Sequence, residues 1–342
     1  MNRFALVSAR TIAEAAATAT ATVADAMVAP DAADTDKIFV VKAGGIDLID
    51  LLKENLLAPA KIVNLKEIPG LDAIVEADAG LRIGPMVTLA KLAGDPLVRQ
   101  RFRILADAAA ASASPQIRNV ASLGGNLLQR PRCWYFRAEE FRCLRKGGDH
   151  CFALSGENQY HAIFDNEFCA IVHPSTAATV LVALGASLEL SDARGRKRRV
   201  GLGDFFVLPN VDVLRENDLG PHEILTAIEL PPLPVSTGAA YLKQGEKESF
   251  DWPLADVAVV LDFDADRRCK SAAVVLGAAA PVPHRAKAAE AALIGKPIDA
   301  STAGQAARAA LQGATPLAKN AYKLPLFETL VRRAVLAAAA SR

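Results

Sequence analysis

The sequence predicts an α+β fold in two units, residues 1–233 and 234–342, the second the smaller. Three observations carry this. Short β-branched and aromatic runs are each followed by a turn and then by apolar residues at helical spacing. Two stretches, "SLELSDARGRKRRVGLGDFF" and "DVAVVLDFDADRRCKSAAVVLGA", read as hairpins, whereas Ala-rich helices fill the C-terminal end. A proline-rich linker from Pro231 to Pro234 separates the two units.

Taken in order, "TIAEAAATATATVADAMVA" reads as an amphipathic helix, because Glu14 and Asp25 interrupt what would otherwise resemble an export signal. A strand is predicted from Ile38 to Lys42, then a glycine turn, then a helix whose Leu48, Leu51, Leu52 and Leu56 recur at helical spacing. Asp47 follows that turn, where an N-cap acceptor belongs. "AKIVNLKEI" and "GLRIGPMVTLAKLA" repeat the theme of strand, then turn or helix. Beyond Pro174, "STAATVLVALGA" is a helix, and the hairpin after it turns near Ala193 to Gly195. "HEILTAIELPP" is a strand ending at the linker, and a further strand lies around Ala240 to Lys243. No internal repeat of fixed period appears.

With 342 residues the chain holds two or three domains at about 150 residues each. Its 51% hydrophobic and 23% charged residues suit a folded enzyme. A net charge of +1 argues against nucleic acid as a partner, since polyanion binders carry a basic excess. No run approaches the ~20 apolar residues that cross a bilayer, so no membrane insertion is expected.

Two glycine pairs, Gly44–Gly45 and Gly124–Gly125, follow predicted strand or loop segments. Glycine lets a backbone approach phosphate closely, and a following helix N-terminus adds partial positive charge. Two such turns clamp a dinucleotide pyrophosphate from both sides; one alone is an ordinary tight turn. Neither the three-glycine dinucleotide fingerprint nor a phosphate-loop lysine motif is present.

The chain has five cysteines, of which Cys133, Cys143, Cys151 and Cys169 are separated by nine, seven and seventeen residues; Cys269 stands apart. Four thiols match the ligand set of a cubane iron–sulfur centre. Four thiols also make a structural zinc site, although the usual closely spaced pairs are missing, and four unligated cysteines are the third reading. Around them lie Arg130, Arg132, Arg137, Arg142, Arg145 and Lys146. These are either a solvated loop face or cations that offset thiolate charge or meet an acidic partner.

"KAGGIDLIDLLKENL", "LRIGPMVTLAKLA", "SPQIRNVASLGGNL", "HPSTAATVLVALGA", "HEILTAIELP", "YLK" and "NAYKLPL" together resemble, in order, the FAD-binding subunits of the xanthine dehydrogenase and carbon monoxide dehydrogenase family of molybdenum hydroxylases. The resemblance implies a two-subdomain FAD-binding fold over 1–233 and a C-terminal α+β domain over 234–342. It places Lys42, Ala43, Gly44, Gly45, Ile46, Asp47 and Leu48 on one side of the FAD pyrophosphate. Ala113, Ala121, Ser122, Gly124, Gly125 and Asn126 form the opposing loop, with Leu225 and Lys243 near the flavin ring. Ile46 stands where the family usually has Thr or Ser, and Thr176 often where it has Asp.

The stretch from about 129 to 172, with "QRPRCWYFR", "FRCLRKGG", "HCFALSGENQYHAIF" and "CAIVHPS", resembles the subgroup of periplasmic aldehyde oxidoreductases whose flavin subunit carries an extra 4Fe-4S cluster, here on Cys133, Cys143, Cys151 and Cys169. Implied partners are a molybdenum-cofactor large subunit, a small subunit with two 2Fe-2S clusters and an external electron acceptor. The implied role is electron transfer within an aldehyde oxidoreductase; a 4-hydroxybenzoyl-CoA reductase-like or xanthine dehydrogenase-like complex is the alternative. The expected location is cytoplasmic, with periplasmic co-export on a partner's signal as the alternative.

Overall fold

The computed structural model describes residues 1–27, 35–78, 80–247 and 250–341. Its first sheet is parallel, in the order β1–β3–β2, from β1 (Ala5–Ser8), β2 (Phe39–Lys42) and β3 (Lys61–Asn64). Parallel neighbours need crossovers, and the helix Ile46–Lys53 supplies the one from β2 to β3. Leu48, Leu51 and Leu52 of that helix pack on Val40 and Ile62, while Leu56 lies past its end in the same core. β1 was not expected from the sequence: Leu6 is exposed on this edge strand, so no apolar alternation marks it.

The single N-terminal helix is corrected to two, Ile12–Thr18 and Val23–Met27. Thr20 breaks it. Its amide donates to Phe39 O, and its hydroxyl donates to Lys37 O and accepts from Phe39 N, so the threonine bonds to the neighbouring chain instead of continuing a helix.

The second sheet is antiparallel, in the order β4–β5–β8–β6–β7, from β4 (Ile74–Ala77), β5 (Gly80–Ile83), β6 (Ser187–Asp192), β7 (Lys197–Gly201) and β8 (Glu223–Leu230). Its core is shared with the helices Leu89–Gly94, Arg103–Ala110 and Thr176–Ala183. The third sheet runs β12–β11–β10–β9, from β9 (Gly238–Gln244), β10 (Ala255–Phe263), β11 (Cys269–Gly277) and β12 (His284–Arg285). Val257, Val259 and Leu261 face the helices Lys287–Leu293, Ala300–Ala309 and Lys323–Ala340, whereas Ala258 faces the second core. Both faces are covered, and so β10 reads as a nearly continuous apolar run.

The cysteine-bearing stretch bridges these bodies. Phe136 and Cys143 join the core of the first sheet, and Ile163 and Phe164 join that of the third. Asn320 and Lys323, from "NAYK", bind it from behind. Asn320 Nδ2 donates to His161 O and Ala162 O, each at 3.0 Å, and the buried Lys323 ammonium donates to Tyr160 O, His161 O and Ala278 O. Among the described residues, no helix is long and apolar enough to cross a membrane.

Candidate functional site

The two glycine turns meet backbone to backbone. β2 ends at Lys42, and Gly45 takes a left-handed conformation, φ 89°, before the helix Ile46–Lys53 begins. A Cβ on Gly44 would lie 2.4 Å from Val120 O, and one on Gly124 would lie 2.7 Å from Pro85 Cβ. The Ser122 hydroxyl joins the turns by accepting from Gly44 N and Gly125 N, each at 3.2 Å. It thereby caps the short helix Leu123–Leu127.

Between the turns opens a cavity of about 290 Å³. Lys42, Ala43, Gly44, Gly45, Ile46, Asp47 and Leu48 line it, as do Ala113, Ala121, Ser122, Gly124, Gly125 and Asn126. Leu225 and Lys243 also reach its wall, so every residue expected at a nucleotide site borders this one space. The helix behind Gly45 has no side-chain cap, which leaves its first-turn amides available to an anion. Ala113 is held at φ 47°, in the left-handed region, while Arg118 Nη1 donates to the carbonyls of Ser112 and Ala113 at 2.8 and 3.0 Å. Asn126 Oδ1 accepts from the Ser175 hydroxyl at 2.6 Å, and Thr176 pairs with Ser112 at 2.5 Å. Lys243 donates to Ala111 O and Asp251 O, and burial lowers its pKa.

Asp47 does not cap the helix, contrary to expectation; Gly45 holds the N-cap position. Its carboxylate instead receives Arg130 N at 2.8 Å, Arg137 Nη2 at 2.6 Å and Arg132 Nη2 at 2.9 Å. Arg132 also reaches Asp50, at 3.1 Å, and lies over the Trp252 ring, 4.8 Å from its centroid. The solvated-loop reading fails for these arginines, while Arg142 is exposed. Sequence reasoning missed Glu216, in the polar loop "RENDLG", which pairs with both Arg130 and Arg145. Nothing in its sequence neighbourhood marks it.

Cys133, Cys143, Cys151 and Cys169 all line a second, small cavity, together with Arg145 and His161. Cys133, Cys143 and Cys151 each precede a short helical turn: Trp134–Arg137, Leu144–Lys146 and Phe152–Leu154. Main-chain amides consequently lie near the sulfurs, those of Tyr135 and Phe136 at Cys133 and those of Arg145 and Lys146 at Cys143. Burial pushes the Cys133 thiol up to about 12. Cys169 shifts the other way, through its bond from Cys151 and the neighbouring Arg145 guanidinium. His161 Nε2 is 3.2 Å from Cys133 Sγ, and burial, aided by Lys323, lowers its pKa to about 4. Cys269 is buried in β11, as its position in the sequence implied, and His150 is an exposed partner of Asp149. Among the described residues, no three Cys, His, Asp or Glu side chains are arranged as ligands of one metal ion.

Residues 3–233 match the family model "FAD binding domain in molybdopterin dehydrogenase", and residues 240–338 match "CO dehydrogenase flavoprotein C-terminal domain". Over 288 residues the chain is 36% identical to the aldehyde oxidoreductase FAD-binding subunit PaoB of Escherichia coli K12, covering 83% of this chain and 86% of that one. It is 29% identical to the nicotine 6-hydroxylase medium subunit of Paenarthrobacter nicotinovorans, covering 91% and 93%. Among solved structures, it superposes on a chain of carbon monoxide dehydrogenase from Hydrogenophaga pseudoflava with a TM-score of 0.73 at 25% identity, covering 99% and 98%. A chain of quinoline 2-oxidoreductase from Pseudomonas putida 86 gives 0.72 at 25% identity, covering 99% and 97%. The chain belongs to the FAD-binding medium subunits of the xanthine and carbon monoxide dehydrogenase family, and is thus an oxidoreductase subunit.

Proposed function

We propose that this chain is the electron-transfer subunit of a molybdenum-containing aldehyde oxidoreductase, with FAD between its two glycine turns and a 4Fe-4S cluster on Cys133, Cys143, Cys151 and Cys169. Residues 1–233 are the FAD-binding domain, the insert of about 129–172 carries the cluster, and 234–342 form the C-terminal domain. The observation that carries the reading is the gathering of four cysteines at one cavity beside the nucleotide cavity. The likeness to an aldehyde oxidoreductase FAD-binding subunit supports the substrate class.

The residues suit both groups. Gly44 and Gly124 have no room for a side chain against Val120 and Pro85, which lets the two turns pack closely on either side of the cavity, and the Ser122 hydroxyl ties them together. Ile46 contributes only its amide. Lys243 is tied to two carbonyls and so serves as a fixed cation rather than a base. Burial keeps Cys133 and Cys143 as thiols, and the main-chain amides at their sulfurs oppose it only in part; the buried Arg145 lowers Cys169 alone, so the other thiols would give up their protons only on binding iron. Cluster binding would replace the Cys151–Cys169 contact. When bound, the two groups would relay electrons from a molybdenum subunit and a small subunit with two 2Fe-2S clusters to an external acceptor.

An anaerobic visible spectrum, with flavin, iron, sulfide and zinc assays on the complex purified with its partners, tests the reading. One FAD and about four irons and four sulfides beyond those of the small subunit are expected. Stoichiometric zinc without the added iron overturns the cluster, and absence of flavin overturns the subunit's role. Flavin reduction by xanthine but not by aldehydes would replace the substrate class.

A further inference from the structure

The wall between the two cavities contains three buried charges in a row. Arg130 and Glu216 line the nucleotide cavity, and Arg145 lines the cysteine cavity. Arg130 Nε lies 3.2 Å from Glu216 Oε2, and Arg145 Nη1 donates to Glu216 Oε1 at 2.6 Å. The three are 2%, 4% and 1% exposed in the order Arg130, Glu216, Arg145. Beyond them, Arg145 acts on the Cys169 thiol, and the Arg130 guanidinium stands over the Phe136 ring, 4.9 Å from its centroid.

Two cations and one anion leave a net positive charge out of water, and Asp47, the next anion along, is taken up by Arg132 and Arg137. That is costly unless another anion stands close by. Within the protein the compensation is incomplete: Arg130 Nη1 and Nη2 and Arg145 Nη2 have no hydrogen-bond partner although buried. A group bound by four thiolates at one end, and a phosphate-bearing nucleotide at the other, are the anions such a row would meet.

We propose that Arg130, Glu216 and Arg145 form a positioning triad that couples the two sites electrostatically, so that its charge sets the reduction potentials of both the cluster and the flavin. This rests on the FAD and 4Fe-4S reading above. Iron–sulfur potentials respond to nearby charge and to hydrogen bonds at the sulfurs, and the buried setting screens the field weakly. Removing the anion should make reduction easier, and removing a cation should make it harder.

The test is a redox titration of the partner-bound complex, following the cluster by electron paramagnetic resonance and the flavin by its visible spectrum. Glu216→Gln is expected to raise both potentials, and Arg145→Met to lower that of the cluster. Each shift should be at least about tenfold in the one-electron equilibrium, or about 59 mV. Arg145→Lys, which keeps the charge, should return most of the Arg145→Met loss. Shifts of the same sign in Glu216→Gln and Arg145→Met, or shifts below about twofold in both, overturn the coupling. Should Arg145→Met fail to hold iron, the volume-preserving Glu216→Gln decides alone by the direction of its two shifts. A wild-type iron count without the additional four refutes the cluster reading and the coupling with it. A full count with unmoved potentials refutes the coupling alone.

Discussion

The nucleotide cavity and the cysteine cavity lie on either side of one wall, yet they are assembled by different means. The first is made largely of backbone: two glycine turns in contact, one serine hydroxyl accepting from both, and an uncapped helix start. The second is held by charge: Asp47 gathers three arginine segments, and Glu216 joins two buried guanidinium groups. The contrast shows that shape can be secured by leaving side chains out, whereas a long insert needs explicit pairs to fix it against the same fold.

The strongest way to break the first cavity is Gly44→Val. Its Cβ would stand 2.4 Å from Val120 O, a backbone atom that cannot rotate away. Loss of nearly all bound flavin is expected, with a destabilisation of about 1–3 kcal/mol, read by flavin content and thermal unfolding. Asp47→Ala probes the second. It removes the shared partner of Arg132 and Arg137, which are left with Asp50 and Glu54, so a loss of about 1 kcal/mol is expected. Iron content should fall more steeply than flavin content; equal losses would show that the clamp serves both cavities alike.

A smaller effect sharpens the comparison. Ala113→Gly relieves the left-handed conformation at φ 47°, and a net stabilisation of about 0.5 kcal/mol by chemical denaturation is expected after the entropy cost of glycine. The smallest effect lies away from both cavities, where burial raises the pKa of Glu189 but hydrogen bonds from Arg82, Thr226 and Lys197 outweigh it and hold it at about 2, against an ordinary 4.5. The folded state thus binds this proton less tightly than the unfolded chain. Its contribution is complete above about pH 4.5 and is lost as pH falls toward 2. Glu189→Gln should therefore flatten the acid limb of the stability profile, modestly because water reaches the group.

What the sequence disclosed follows the same division. The glycine turns were legible because glycine itself marks a close backbone approach, and the helix behind Gly45 because Leu48, Leu51 and Leu52 share one face. β10 and the helices around it were legible as apolar runs. β1 was not, because an exposed edge strand carries no alternation. The N-terminal stretch reads as one helix because alanine propensity hides the hydroxyl bonds of Thr20. At the cysteine cavity, residue type identified the four thiols and the arginines around them, with charge compensation as one reading of the arginines, but Glu216, the buried partner of two of them, escaped. Arg130 and Glu216 look like surface residues until chain separation collapses in three dimensions, and no local pattern reports a pairing across 86 positions.

The grip of Asn320 and Lys323 on the carbonyls of residues 160–162 has a consequence for the order of events at the ribosome. The last of the four thiols is made at Cys169, but the side chains that hold the backbone behind His161 are added about 150 residues later, roughly 8 to 30 seconds at ~5–20 residues per second. During that interval the thiols lack their final backing and face the solvent's oxidants and stray metal ions. The finished pocket is therefore a late product of translation.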